Sequence, residues 1–307
     1  MSAGFIPARR SQVVGEFPRT PPPSRPIDVI RSRAAVRLGL DAGRLPQKWE
    51  LIGDVLLLRL PRDLSPRAED IASIYAEVLG AETVVEDLAR IRGPWRVPEV
   101  RRIWGGGTET VHVEDGVRFK LDVAKVMFSS GNTGERQRMA RIGPPGETVV
   151  DLFAGIGHFS LPIAVHARPA RVVACEVNPV AFDYLRENGR LNRVTIDARL
   201  GDCRAVAPKG IADRVVMGHF DAEKYFDTAL EASGDVATIH LHGLTPIRDA
   251  NTRLEMKRDE FRPPVFAGLE ERAEQHGYSV QRTSFHAVKW YGPRRVHFVL
   301  DISIARE

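Results

Sequence analysis

The chain has 307 residues, 43% hydrophobic and 27% charged, with a net charge of +4, a balance that excludes a disordered or fibrous chain and supplies enough apolar side chain for a core. A length of this order predicts two domains. No apolar run approaches the ~18 residues of a membrane span and no apolar signal core opens the sequence, so a cytoplasmic protein without membrane contact is expected. The two cysteines, Cys175 and Cys203, form no Cys-x-x-Cys pair; they read as buried free thiols with neither metal nor redox role.

Residues 1–44 are rich in arginine and proline, and "PRTPPPSRP" disfavours both helix and ladder, which predicts a tail or linker over the first ~25 residues. Residues 1–45 hold eight arginines against three acids, more than the excess of the whole chain. Next, "WELIGDVLLLRL" predicts two strands around a Gly53-Asp54 turn. "SPRAEDIASIYAEVLG" predicts a helix with Ser65 as N-cap, Pro66 at its first position and Gly80 at its end. These elements predict a small α+β domain over 45–115. "ETVHVEDGVRFKLD" alternates about Asp115-Gly116, a hairpin signal, at the hinge to a larger domain over 116–307. There strand-like and helix-like runs alternate from "TVVDLFA" to "RRVHFVLDISI", which predicts a mostly parallel sheet covered by helices, with the last two strands antiparallel at one edge.

Two further basic clusters carry aromatics: Arg90, Arg92, Arg96, Arg101 and Arg102 around Trp95 and Trp104, and Lys289, Arg294 and Arg295 beside Trp290 and Tyr291. Guanidinium groups pair with phosphates and flat rings stack on unpaired bases, so RNA is one reading. A solvated basic face is the other.

The loop "TVVDLFAGIGHFSLPIAV" joins a strand-like to a helix-like run, at the place where open α/β sheets collect ligands. Gly155 and Gly157 permit close backbone approach, but Ser160 stands where a dinucleotide fingerprint has its third glycine, and there is no Gly-Lys-Ser/Thr ending for a triphosphate. Acids stand at three successive strand ends: Asp151, Glu176 and Asp202. Such carboxylates suit ribose hydroxyls (Glu176), an adenine amine (Asp202) and a cationic ligand part (Asp151), and together they describe a cationic nucleoside such as S-adenosylmethionine (SAM). Singly, each acid could instead cap a following helix.

With "DLFAGIGHF" as first motif, the arrangement resembles the class I SAM-dependent transferases, which implies a Rossmann-like α/β fold: a mostly parallel sheet with an antiparallel edge strand, here beside the smaller N-terminal α+β domain. "LPQKWELIGDVLLLRLP", "ETVHVEDGVRFKLDVAKVMFSSGNTGERQRMA" and "CEVNPVAFDYLRENGRLN" narrow the resemblance to enzymes that modify guanosine 37 of tRNA. One branch methylates N1 of the guanosine and carries an Asn-Leu-Pro type motif after the fourth strand; here "DRVVMGHF" has neither Asn nor Pro. The chain is therefore similar to the tRNA wybutosine-synthesising protein 2 family. That resemblance implies transfer of the 3-amino-3-carboxypropyl group of SAM to the 4-demethylwyosine base at position 37 of tRNA(Phe), in the anticodon loop, with release of methylthioadenosine, by a monomer. N1 methylation is the alternative activity, and a non-catalytic RNA-binding module is the alternative of another class.

The resemblance further implies that Asp151, Phe153, Ala154, Gly155 and Gly157 shape the cofactor loop, that Glu176 and Asp202 hold ribose and adenine, and that Met217 and Gly218 meet the cofactor at the fourth strand end. Lys125, Ser130, Asn132 and Glu135 are expected near the methionine tail or the base. Arg136 is expected to meet the cofactor carboxylate or a phosphate, and His219 the substrate base. An ordinary helix-face arginine and a structural histidine are the competing readings of these two.

Overall fold

The computed structural model describes residues 25–92, 95, 97–247, 263–292 and 294–307. The N-terminal unit comprises α1 (Pro26–Leu38), β1 (Trp49–Ile52), β2 (Val55–Leu58), α2 (Ala68–Leu79), β3 (Thr83–Arg92) and β4 (Val97–Gly105), with the four strands in sequence order in one sheet. Gly53 turns β1 into β2 with φ +57°, and α2 crosses over to bring β3 parallel to β2. Residues 26–38, expected within a segment apart from the folded domain, instead form α1, with Pro26 at its first turn and a left-handed Gly39 closing it, both favourable at those positions. Ile30 and Ala34 are buried against α2, in one cluster with Ile71 and Tyr75. Arg33 and Arg37 both clasp Glu77, at 3.0 and 2.8 Å. The proline tract at 20–24 lies outside the described residues.

Ser65 does not cap α2. It stands with Pro66 in a 3-10 turn, Arg62–Arg67, and the α-helix begins at Ala68. The Ser65 hydroxyl instead accepts from Arg101, 2.9 Å away on β4.

The second unit continues with β5 (Glu109–Glu114), β6 (Val117–Asp122), α3 (Thr133–Met139), β7 (Thr148–Asp151), α4 (Ser160–His166), β8 (Arg171–Glu176), α5 (Pro179–Leu191) and β9 (Asp197–Leu200). It ends with α6 (Cys203–Val206), β10 (Ala212–Met217), α7 (Phe226–Ala232), β11 (Ser233–Pro246), α8 (Leu269–Gln275), β12 (Tyr278–Gly292) and β13 (Arg295–Arg306). Seven strands form one sheet in the order β12-β13-β11-β10-β7-β8-β9. β13 is the antiparallel strand, and it lies one place in from the edge, between β11 and β12, pairing antiparallel with both. The chain folds back from β12 into β13, and the free flank of β11 then takes β13 as its neighbour. Strand order reverses about β7, which has β8 on one side and β10 on the other, so the crevice beyond the carboxyl ends of β7 and β10 is the topological switch point.

Two asparagines dock the β5–β6 hairpin onto this unit. Asp115 and Gly116 make its turn, with φ +50° and +78°, as a tight hairpin needs. The free edge of β6 then meets α5: Lys120 N–H donates to Asn188 Oδ1 at 2.7 Å and Arg118 N–H to Asn192 Oδ1 at 2.8 Å. The side-chain amides return bonds to the same residues' carbonyls at 3.0 and 2.7 Å. Side chains four apart on a helix thus stand in for a neighbouring strand. On its other side the hairpin holds the β1–β2 turn, with Gly53 N–H donating to His112 Nδ1 and Asp54 N–H to Thr110 Oγ1, both at 3.2 Å.

Candidate active site

At the carboxyl ends of β7, β8 and β10 lies a cavity of about 420 Å³. The loop after β7 forms its floor. Asp151 is fully buried; its carboxylate accepts the Ser160 hydroxyl at 2.6 Å and the Phe153 N–H at 3.1 Å. Burial pushes its pKa up to about 6. It therefore shapes the loop from behind and does not line the cavity. Gly155 adopts φ +58° and gives its N–H to Glu176 at 2.7 Å, and the other Glu176 oxygen accepts from Asn178 N–H at 2.7 Å. Gly157, at φ +101°, leaves no room for a side chain: a Cβ there would stand 2.5 Å from Leu161. Loop, β8 and α5 are thus fastened through one carboxylate, whose pKa burial raises.

Phe153, Gly155, Glu176, Asp202, Gly218 and His219 line the cavity. Asp202 caps α6 through Arg204 N–H and binds the Arg204 guanidinium, which lowers its pKa. Its acid character is therefore maintained beside the cavity mouth. His219 stacks on Phe153, ring centroids 5.3 Å apart, and Tyr225 meets Phe153 edge-on. Ala154 and Met217 are buried and support the wall without lining it.

The segment before β7 divides by helical phase. Asn132 and Arg136, four apart, share the face toward the cavity, and Glu135 turns the other way. Glu135 is buried against Arg138 at 2.7 Å, in a network with Asp301. Ser130 is turned into the loop, its N–H on Glu50 at 3.0 Å, and Lys125 is exposed and paired with Asp122 at 3.1 Å. None of these three lines the cavity. Arg136 does, but Glu114 holds its guanidinium in two bonds of 2.7 and 2.6 Å, and it lies over the Phe128 ring. Its charge is already neutralised, which leaves less for an incoming anion than the sequence implies.

The cavity contains residues the sequence does not mark as site members. Lys289, from β12, reaches Ser129 Oγ at 2.9 Å, and burial lowers its pKa. Among the described residues no carboxylate lies within ion-pair distance of it. Asn132 Oδ1 is buried with no hydrogen-bond partner among the described residues. Trp95, half exposed in the turn between β3 and β4, brings the N-terminal unit to the cavity rim. His242 and His297 stand side by side at its far end. A signal for His242 exists in "IHLHGL": His240 and His242, on one face of an apolar central strand, need partners.

Residues 110–264 match the TRM5/TYW2 methyltransferase domain, and residues 39–108 match the TYW2 N-terminal domain. The chain belongs to the TRM5/TYW2 family, on its TYW2 side. It is 42% identical over 263 residues, 85% of this chain and 90% of the relative, to the tRNA(Phe) (4-demethylwyosine(37)-C(7)) aminocarboxypropyltransferase of Pyrococcus horikoshii. It is 34% identical over 266 residues, 85% of this chain and 76% of the relative, to tRNA (guanine(37)-N(1))-methyltransferase Trm5b of Pyrococcus abyssi. The crystal structure of P. horikoshii TYW2 in complex with MeSAdo superposes with a TM-score of 0.77 at 38% identity, covering 92% of this chain and all of that one. The two matches divide the chain between the N-terminal sheet and the unit that opens with the β5–β6 hairpin. Among the described residues no group of three or more His, Cys, Asp or Glu could hold a metal, and no helix is long and apolar enough to cross a membrane.

Proposed function

We propose that this chain transfers the 3-amino-3-carboxypropyl group of SAM to C7 of the 4-demethylwyosine base at position 37 of tRNA(Phe), as the 42%-identical relative is named to do. The single observation that carries this choice over N1 methylation is the end of β10. It runs Met217-Gly218-His219-Phe220 without Asn or Pro, and Gly218 lies so close to the Phe159 ring that a Cβ would stand 2.8 Å from it. That wall offers no side-chain amide to fix a purine edge against a methyl donor.

The residues present fit SAM. Glu176 has a lone pair left on each oxygen for ribose hydroxyls, Asp202 is an acceptor for the adenine amine, and Phe153 offers an aromatic face. At the other end, the unpartnered Asn132 Oδ1 suits an ammonium and the Lys289 ammonium a carboxylate. When bound, SAM supplies a sulfonium: C7 of the base forms a bond to the methylene of the aminocarboxypropyl arm, the C–S pair goes to sulfur, methylthioadenosine leaves, and the C7 proton passes to solvent. The protein's part is positioning, since holding the reactants in line can supply ~7–11 kcal/mol of the barrier. Lys289, Ser129 and Asn132 direct the methylene toward the base, and His219, stacked on Phe153, borders the base side. Arg136 acts through Glu114 and Ser129, whose carbonyl it holds at 2.9 Å, as a positioning residue. Trp95 at the rim receives the anticodon loop of a tRNA by stacking, and the chain acts as a monomer.

The test uses SAM labelled either in the carboxyl carbon or in the methyl group. Carboxyl label is expected in tRNA bearing the tricyclic base, with methylthioadenosine released in equal amount. Methyl label in unmodified tRNA, with S-adenosylhomocysteine, would replace this reading by N1 methylation.

A further inference from the structure

His242 on β11 and His297 on β13 are 2% and 1% exposed, and their rings are joined by a single contact, Nδ1 of His242 to Nε2 of His297, at 3.0 Å. The outer nitrogens of the pair, His242 Nε2 and His297 Nδ1, are buried without a hydrogen-bond partner among the described residues. Both rings line the cavity, on the side of β11 and β13, with β10 and β7 between them and β8, which carries Glu176. Aromatic rings surround them: Phe159 is 4.9 Å from His242, Phe220 is 5.1 Å from His297, and Tyr291 packs on Phe220 at 4.8 Å.

Leaving two buried ring nitrogens unmatched in one place is unfavourable, and native structures rarely do it without a ligand or a functional cause. The shared bond also couples the tautomers. If His297 Nε2 donates, its Nδ1 is an acceptor and His242 Nε2 is a donor; if His242 Nδ1 donates, both roles reverse. In either state two neutral rings present one donor and one acceptor. Burial keeps both rings neutral, helped by Lys289 beside His297 and by His297, His240 and Arg138 beside His242, while the Asp301 carboxylate acts weakly in the opposite sense. A neutral donor and acceptor among aromatic faces match an uncharged planar heterocycle. They match the charged methionine tail poorly; Asn132 and Lys289, the cross-strand neighbour of His297, suit that tail instead.

We propose that the His242–His297 pair, with Phe220 and Tyr291, is the subsite for the acceptor base, and that its donor and acceptor select the tricyclic base over guanosine. The proposal rests on the substrate reading above. A base that cannot satisfy the nitrogen at each end of the pair leaves an imidazole unsatisfied, and sites built this way discriminate strongly against such analogues.

The experiment measures binding of two anticodon stem-loop RNAs, one with 4-demethylwyosine at the target position and one with guanosine, to the wild-type chain and to His297→Leu, His242→Leu and His297→Asn. The wild type is expected to prefer the tricyclic RNA by about 10–100-fold, the scale of one or two buried hydrogen bonds. Both leucine variants should lose that preference to within about threefold. His297→Asn, whose amide oxygen replaces the Nδ1 acceptor, should keep most of it. Unchanged SAM affinity in each variant shows that the fold is intact. If a leucine variant fails to bind SAM, His297→Gln substitutes for it: its amide reaches His242 but leaves no Nδ1 acceptor, so the preference should fall. A wild-type preference that survives these substitutions overturns the base subsite alone. No preference in the wild type overturns the substrate reading, and the subsite with it.

Discussion

Lys289 and Ser129, 160 residues apart in sequence, meet with the ammonium 2.9 Å from the hydroxyl. Gly131 leaves room beside it, since a Cβ there would stand 2.8 Å from Lys289 Nζ. A strand from the end of the chain thus closes a cradle begun by the loop before β7.

If that cradle holds the cofactor carboxylate, Lys289→Met should weaken SAM binding by about 10–100-fold, the cost of ~1.5–3 kcal/mol for a lost charge-assisted bond. Methylthioadenosine has no carboxylate, and its affinity should stay unchanged. Calorimetry with both ligands separates the cases. Equal losses for the two would mean that Lys289 supports the fold of the site and not the tail.

Glu176→Gln should also weaken SAM binding by about 10-fold or more, because the amide keeps one acceptor but loses the charge and one of two oxygens. Glu176→Ala should cost further, since Gly155 and Asn178 lose their acceptor as well. An unchanged dissociation constant in Glu176→Gln would make the carboxylate a structural clasp, with the ribose held elsewhere.

Asp151 supplies a pH dependence of stability. Its folded pKa, about 6, is raised above the ordinary 3.8, so the folded chain retains a proton that the unfolded chain has released. Stability therefore falls as pH rises from about 4 to about 6 and stays lower above that, by an amount of order 2–3 kcal/mol. Asp151→Asn preserves the contacts to Phe153 and Ser160 without the charge. Its melting temperature should exceed the wild type's at pH 8 and converge with it near pH 4. A gap independent of pH would contradict this.

Asp301 works in the opposite sense. Hydrogen bonds from His240 at 2.6 Å, from Arg138 at 2.7 Å and from His286 at 3.0 Å outweigh burial and hold its carboxyl far below the usual range. The stabilisation is present above the unfolded pKa near 4 and is lost as pH falls below it. Asp301→Ala leaves the buried His240 Nδ1 without its partner and Arg138 with Glu135 alone, and should destabilise by about 3–5 kcal/mol. Urea unfolding at pH 7 measures it; a loss under ~1 kcal/mol would show that water replaces the carboxylate.

Truncation tests the N-terminal segment. Removing residues 1–24 should leave melting temperature and SAM affinity unchanged. Removing 1–40 exposes the α2 surface that Ile30 and Ala34 cover and frees Glu77 from Arg33 and Arg37, and should destabilise by several kcal/mol on the scale of large core deletions. Four of the eight arginines, at 25, 33, 37 and 44, are paired with carboxylates inside the domain. The arginines that removal of 1–24 takes away are Arg9, Arg10 and Arg19, and the tRNA salt slope before and after it measures their share of the phosphate contacts. A steep change would place phosphate contacts in that stretch.

The alternation of apolar runs and turn residues determined most of this architecture, because strand and helix periods are local properties. The Gly53-Asp54 and Asp115-Gly116 turns follow from backbone freedom, and the strand-end acids Asp151, Glu176 and Asp202 follow from where a parallel sheet delivers its ligands. What tertiary structure alone decided is which side chains share the cavity. Arg136 reads as a free cation in "GERQRMAR", yet Glu114, 22 residues earlier, neutralises it. Lys125, Ser130 and Glu135 sit in the same motif as Asn132 but are turned away by helix phase and nearer partners. Lys289, His242 and His297 come from strands whose neighbours are fixed only when β13 slots between β11 and β12. Sequence periodicity sets the face a residue occupies, and strand order, a long-range consequence of burying both faces of the sheet, sets what that face meets.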